Sequence, residues 1–295
     1  RLKWTQAGDV STPRRVTRSP LADWSPPQGP RPHIGLLHCD RDQPGSAYAP
    51  VASAELDRAG LDAWLLGHVH RPDLGDGGHP AGYLGSVTAL RASELGVRGP
   101  WRIETENGRV QAQHVPLAPL GYDAARVNVE EIEHADALDA ALLAAARRVV
   151  AERARADALP DALGLHVVVE GEHADSDALR ESAESLAAER PVFTESGCRV
   201  FFDRIDCDVA PPLDLASLAR QPDPAGLIAR DLLLLAGPDG EERRRLVDEA
   251  RERLNAAGSI AELHAVADRV DDDEAADRLQ RAGRRVLARL MAQRS

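Results

Sequence analysis

Two hundred and ninety-five residues leave room for about two domains of ordinary size, and an apolar content of 43% gives each enough for a core, which excludes disorder throughout. A net charge of −12 excludes a general electrostatic grip on nucleic acid, though not a local basic site. The longest uninterrupted apolar run, residues 140–146, stops at Arg147 and Arg148, far short of the roughly 20 residues a bilayer crossing takes. A membrane span is therefore not expected. Cys39, Cys198 and Cys207 form no Cys-x-x-Cys pair and are too few for a disulfide framework, so reduced thiols in a cytoplasmic protein are expected. The chain opens on Arg1, its one methionine is Met291, and no signal-peptide pattern precedes the first apolar run, so it reads as a fragment.

Residues 1–32 carry six basic residues, two acidic ones and six prolines without apolar periodicity, a linker-like or poorly structured segment. Short apolar runs follow at 33–39 and 63–66, bracketing a helical stretch at 50–59. Strand, helix, strand in that order predicts part of a layered α/β sheet. The runs 101–106 and 110–117, with Asn107-Gly108 between them, predict a β-hairpin. A second unit is expected from about 123, with strand candidates at 126–129, 163–169 and 199–205. Between them lie a helix to about 156, on which Leu138, Leu142, Ala145 and Val149 recur at helical spacing, and another helix at 176–188. This predicts a small α+β domain over 123–210. After Pro211-Pro212 the remainder, 211–295, reads as a helical tail with helices at 224–235, 240–255, 260–270 and 273–292. Its 12 arginines over 241–295 balance 12 acidic residues, as on a solvated helical surface.

The strongest chemical signal is Gly67-His68-Val69-His70, which directly follows the apolar run Trp64-Leu65-Leu66. A strand ending there delivers its histidines to the carboxyl edge of the sheet, where open α/β sheets place ligands. Extended alternation would put His68 and His70 on one side. His38 ends the other short strand, and if the two strands are parallel neighbours it joins the pair, making a metal site of His38, His68 and His70. Asp40 and Asp42 could add oxygens but are read as solvated loop acids, His79 as a turn residue, Glu94 as structural and Cys39 as a buried thiol on the opposite strand face. The acidic run 271–274 is read as serving the dipole of the helix it opens.

The segments His33-Ile34-Gly35-Leu36-Leu37-His38, Ala47-Tyr48-Ala49-Pro50, Leu65-Leu66-Gly67-His68-Val69-His70 and Tyr83-Leu84-Gly85-Ser86 resemble the second half of a calcineurin-like metallophosphoesterase. Within that superfamily they are most similar to the DNA repair exonucleases, the nuclease subunit of bacterial SbcCD and YhaO-type proteins. The resemblance covers about residues 33–122. It implies an α/β fold, a partial layered metallophosphoesterase sheet followed by a small α+β capping domain and a helical C-terminal tail. It also implies a two-ion site, usually manganese, that hydrolyses phosphodiesters, with His38 and His68 on one ion and His70 on the other. Implied partners are DNA and an SMC-like coiled-coil ATPase subunit, with homodimerisation a further option. The family's Asp-x-His, Gly-Asp and Gly-Asn-His-Asp motifs have no convincing copy before His38. Gly8-Asp9 sits in a Pro/Arg-rich stretch with no strand before it. The chain by itself is thus expected to bind metal weakly and to lack catalysis. The competing expectation is a non-catalytic adaptor whose capping domain and helices dock the ATPase; the stripe Leu279, Ala282, Val286 and Leu290 would either face that partner or pack against Leu246, Val247 and Leu254 in a self-contained helical bundle.

Overall fold

A computed structural model describes residues 16–75, 79–258 and 270–293. The chain divides into two compact units, Arg1–Gly121 and Tyr122–Ser295. Among the described residues no helix is long and apolar enough to cross a membrane.

In the first unit, β1 (Ile34–His38), β4 (Ala63–Gly67) and β5 (Ala81–Tyr83) form a parallel sheet in the order β1-β4-β5. The short elements β2 (Asp40–Arg41), β3 (Pro50–Val51) and α1 (Ser53–Arg58) fill the crossover between β1 and β4. The expected helix at 50–59 is thus shorter, because its first two residues pair with β2 instead. Strand β4 is buried on both faces, which explains its unbroken apolar run. Trp64 and Leu66 pack with Cys39, Val51, Leu56 and Tyr83, while Leu65 packs with Leu74, Ala112 and Trp101. In β1 only the inward face is covered: Gly35 is buried beneath Trp64, whereas Ile34 and Leu36 are exposed. β6 (Trp101–Glu106) and β7 (Arg109–His114) form the expected hairpin, and Asn107 and Gly108 both take the positive φ that a two-residue type I′ turn demands.

One expectation changes here. Of residues 1–32, those from 16 onward are described, and they are not a bare linker: Leu21 and Trp24 pack on the core beside Trp64, and Val16 bridges to Tyr48. Two apolar residues three apart carry no periodicity, so this anchoring had no signature to read.

In the second unit β8 (Leu120–Asn128), β9 (Ala162–Glu172), β10 (Val192–Glu195) and β11 (Cys198–Ala210) form one sheet in the order β10-β11-β9-β8. β9 and β11 are parallel, joined through α3 (Ser176–Glu189). The helical positions Leu138, Leu142, Ala145 and Val149 of α2 (Leu138–Arg155) are all buried, against the alternate residues Leu163, Leu165, Val167 and Val169 of β9. Periods of about 3.6 and 2 meet in this core. The short edge strand β10 was not expected.

The tail holds α4 (Leu215–Leu218), α5 (Pro224–Ala236), α6 (Glu241–Gly258) and α7 (Asp272–Ala292); the helix expected at 260–270 falls almost wholly outside the described residues. Asp271 caps α7, accepting from the Glu274 N–H at 2.9 Å, as the dipole reading of that acidic run implies. The expected stripe on α7 is displaced. Leu279 packs with Leu246, Val247 and Leu254 of α6, but Ala282 and Val286 are exposed, and Leu287 is buried against α5 in place of Val286. Gly283 sets this rotation: a Cβ there would stand 2.9 Å from Leu232 Cδ2, so the missing side chain lets α5 come close. A glycine adds nothing to an apolar stripe, so the packed face was invisible in the pattern.

Candidate metal centre

Strands β1 and β4 are aligned so that His38 lies opposite Gly67, the residue before His68. The two imidazoles therefore meet at the carboxyl end of the sheet, ring centroids 5.1 Å apart and edge to face. Gly67 makes room for this approach, since a Cβ at that position would stand 3.0 Å from His38 Nδ1. At His68 the chain leaves the strand with φ 111, a conformation L residues rarely adopt and one that marks stored strain at the end of β4.

Asp40 stands beside this pair. Its Oδ1 lies 3.2 Å from His68 Nε2, while Oδ2 accepts from Ser46 Oγ. Tyr48 stacks on the His68 ring, 5.2 Å between centroids. His38 is held toward its neutral form: desolvation lowers its pKa, the neighbouring His68 adds to the effect, and Asp40 opposes it. A neutral imidazole is the form that donates a lone pair.

His70 does not join them in the way strict alternation implied. The bend at His68 breaks the extended geometry, and His70 Nδ1 lies 2.8 Å from Glu94 Oε1. The His70 carbonyl accepts from Ser86 N–H at 3.0 Å and from the Arg98 guanidinium. Glu94 in turn accepts from Leu90 N–H at 3.1 Å and Ser86 Oγ at 3.0 Å through Oε2. Burial alone would raise the Glu94 pKa, but the hydrogen bonds with His70, Leu90 N–H and Ser86 Oγ outweigh it and hold the carboxyl below its ordinary value.

The remaining candidates separate cleanly. Burial pushes the Cys39 thiol up to about 12, so it stays protonated rather than serving as a thiolate ligand. Asp42 accepts from Ser53 N–H at 2.7 Å and so positions the start of α1, while His79 is exposed. Gly8 and Asp9 lie outside the described residues. From residue order alone Asp40 reads as a solvated loop acid and Glu94 as a structural one. Both were visible only as residue types; their partners are brought in from 28 and 24 residues away.

The donors suit a divalent cation in kind but not in number. Imidazole nitrogen with a carboxylate oxygen fits manganese, iron or zinc chemistry. Among the described residues, however, no three His, Cys, Asp or Glu side chains form a group that could hold an ion. A complete site would require further donors.

No family model matches the chain. A stretch of 109 residues, 36% of the chain, is 29% identical to the uncharacterized metallophosphoesterase YhaO of Bacillus subtilis (strain 168). That stretch corresponds to 27% of the relative, so the chain spans about a quarter of the length of the protein it matches. The likeness is thus to part of a protein named as a metallophosphoesterase.

Proposed function

We propose that this chain carries the histidine side of a two-ion phosphodiesterase site and belongs to a DNA exonuclease of a repair complex, with the carboxylate donors coming from outside the described residues. The observation that carries the reading is the meeting of His38 and His68 at the ends of adjacent parallel strands. The similarity to a metallophosphoesterase supports it further. His38 and His68 would hold one cation and His70 the second. Manganese is the ion proposed, and a bound divalent cation supplies charge to neutralise the phosphate oxygens. The protein's own part is to present two imidazoles from rigid strands, hold His68 through Asp40, and keep His38 neutral. On the uncovered face of β1, Ile34 and Leu36 leave apolar surface for additional structure to complete the sheet.

The test measures manganese binding by calorimetry and manganese-dependent degradation of linear duplex DNA, for this chain and for one extended upstream. The expected result is weak binding and little hydrolysis by the chain alone, gain of both on extension, and a loss of at least about tenfold in metal affinity on His68→Ala. An inactive extended chain would overturn the hydrolase reading. Robust activity of the present chain, lost on His68→Ala, would overturn the statement that its donors are incomplete.

The second reading is the adaptor that docks an SMC-like coiled-coil ATPase. It is favoured by exposed apolar side chains on the tail, Leu227 and Leu233 of α5 and Val286 of α7. A pull-down of the ATPase that is unchanged when these three are replaced by serine would remove it.

A further inference from the structure

Glu94 is set deep for a carboxylate on a loop. Its side chain is 11% exposed, whereas the His70 side chain it meets is 51% exposed. Oε2 is occupied by Leu90 N–H and Ser86 Oγ, which leaves Oε1 for His70 Nδ1. A carboxylate has no proton to give, so both oxygens are acceptors only. The proton between the two side chains must then belong to the ring, on Nδ1. His70 is also fixed through its backbone, where its carbonyl takes donors from Ser86 and Arg98. Ring and main chain are thus tied to the same loop, 86–98.

We propose that Glu94 is a positioning residue that locks neutral His70 in the Nδ1–H tautomer, so that the lone pair stands on Nε2, across the ring from the carboxylate. A free imidazole prefers the opposite tautomer, with its proton on Nε2, and would then offer its lone pair toward the protein. A carboxylate behind the ring reverses that choice and also makes Nε2 a better electron donor. The significance of this for metal binding rests on the reading of His70 as a donor. The tautomer itself does not.

The test is nitrogen-15 NMR of the histidine side chains in the metal-free full chain, at a pH where the His70 ring is neutral by its own shifts. The expected result is pyrrole-like Nδ1 and pyridine-like Nε2 for His70. In Glu94→Gln the single amide oxygen stays with Leu90 N–H and Ser86 Oγ, the amide NH₂ faces the ring, and Nδ1 must accept. The tautomer ratio then shifts by at least about tenfold toward Nε2–H, the scale of one hydrogen bond to a charged group. An unchanged backbone amide spectrum shows that the loop has kept its fold, and Glu94→Asp, if it restores the Nδ1–H form in part, ties the effect to the carboxylate. Wild-type His70 found as Nε2–H, or a ratio unmoved by Glu94→Gln, overturns the proposal. A parallel zinc titration that leaves His70 Nε2 unshifted while the tautomer behaves as stated would overturn only the reading of His70 as a metal donor.

Discussion

Replacing Gly35 by alanine tests the β1–β4 packing on which the histidine pair depends. A Cβ at this position would lie 2.3 Å from Trp64 Cε3 and Cζ3 and 2.9 Å from Leu61 Cδ1, against the roughly 3.5–4.0 Å of an ordinary carbon contact. The overlap of more than about 1 Å cannot be relieved by a small rotation. The indole is buried, its Nε1 donates to Leu56 C=O at 3.0 Å, and its ring meets Trp24. Moving it therefore costs about 1–3 kcal/mol of overpacking and strains or breaks a hydrogen bond whose buried loss costs about 1–3 kcal/mol. The lower entropy of the unfolded alanine chain returns about 0.4–1 kcal/mol. The net expectation is about 2–4 kcal/mol of destabilisation. All four tryptophans, Trp4, Trp24, Trp64 and Trp101, precede residue 122, so urea unfolding followed by tryptophan fluorescence reports the first unit while ellipticity reports the whole chain. The fluorescence midpoint should fall with its slope unchanged. A Gly35→Ala protein within about 0.5 kcal/mol of wild type would refute the packing of β1 under Trp64, and with it the register that brings His38 to His68.

Three further expectations follow from the same structure. Gly67→Ala places its Cβ against the exposed His38 ring, which can swing away, so stability should change by less than about 1 kcal/mol while divalent-ion affinity measured by calorimetry falls; a fall in stability with unchanged affinity would contradict the role given to Gly67. Burial alone would raise the Asp62 pKa, but the His33 N–H at 2.6 Å and the Arg31 guanidinium at 2.5 Å more than offset it, so the folded carboxyl titrates below its unfolded value. Its contribution is thus complete above a pH of about 4 and lost as pH falls through the lower folded value, so the stability gap between wild type and Asp62→Asn should close on acidification; a gap that widens would disprove the sign. In the tail, Leu287→Ala should cost about 2–4 kcal/mol by chemical unfolding followed by ellipticity, and Val286→Ala less than about 1 kcal/mol. Equal costs would mean that α7 presents a different face to α5.

Elements whose stabilisation is local or strictly periodic were legible in the sequence. Asn107-Gly108 dictates its hairpin because only residues tolerant of positive φ close a two-residue turn between twisted strands. The positions of Leu138, Leu142, Ala145 and Val149 dictate the buried face of α2, since a helix has one face at that spacing. The apolar run of β4 and the histidines at the ends of two strands likewise belong to the sequence, and the parallel pairing of β1 with β4 follows from a helix between them. What the chain does not spell out is which distant groups meet. β5 and β10 have three and four residues, too few for a period to emerge, and exist because a neighbouring strand offers its edge. The rotation of α7 depends on Gly283 facing Leu232, a contact made by an absent side chain. At the candidate centre, alternation predicted His68 and His70 on one side, but the positive φ at His68 turns the chain and gives His70 to Glu94. Asp40 reaches His68 through the fold as well. Residue type and order placed the imidazoles at the sheet edge; tertiary contacts alone decided which carboxylate faces each ring, because pairings across 24 and 28 residues are set by loops that carry no periodic signal.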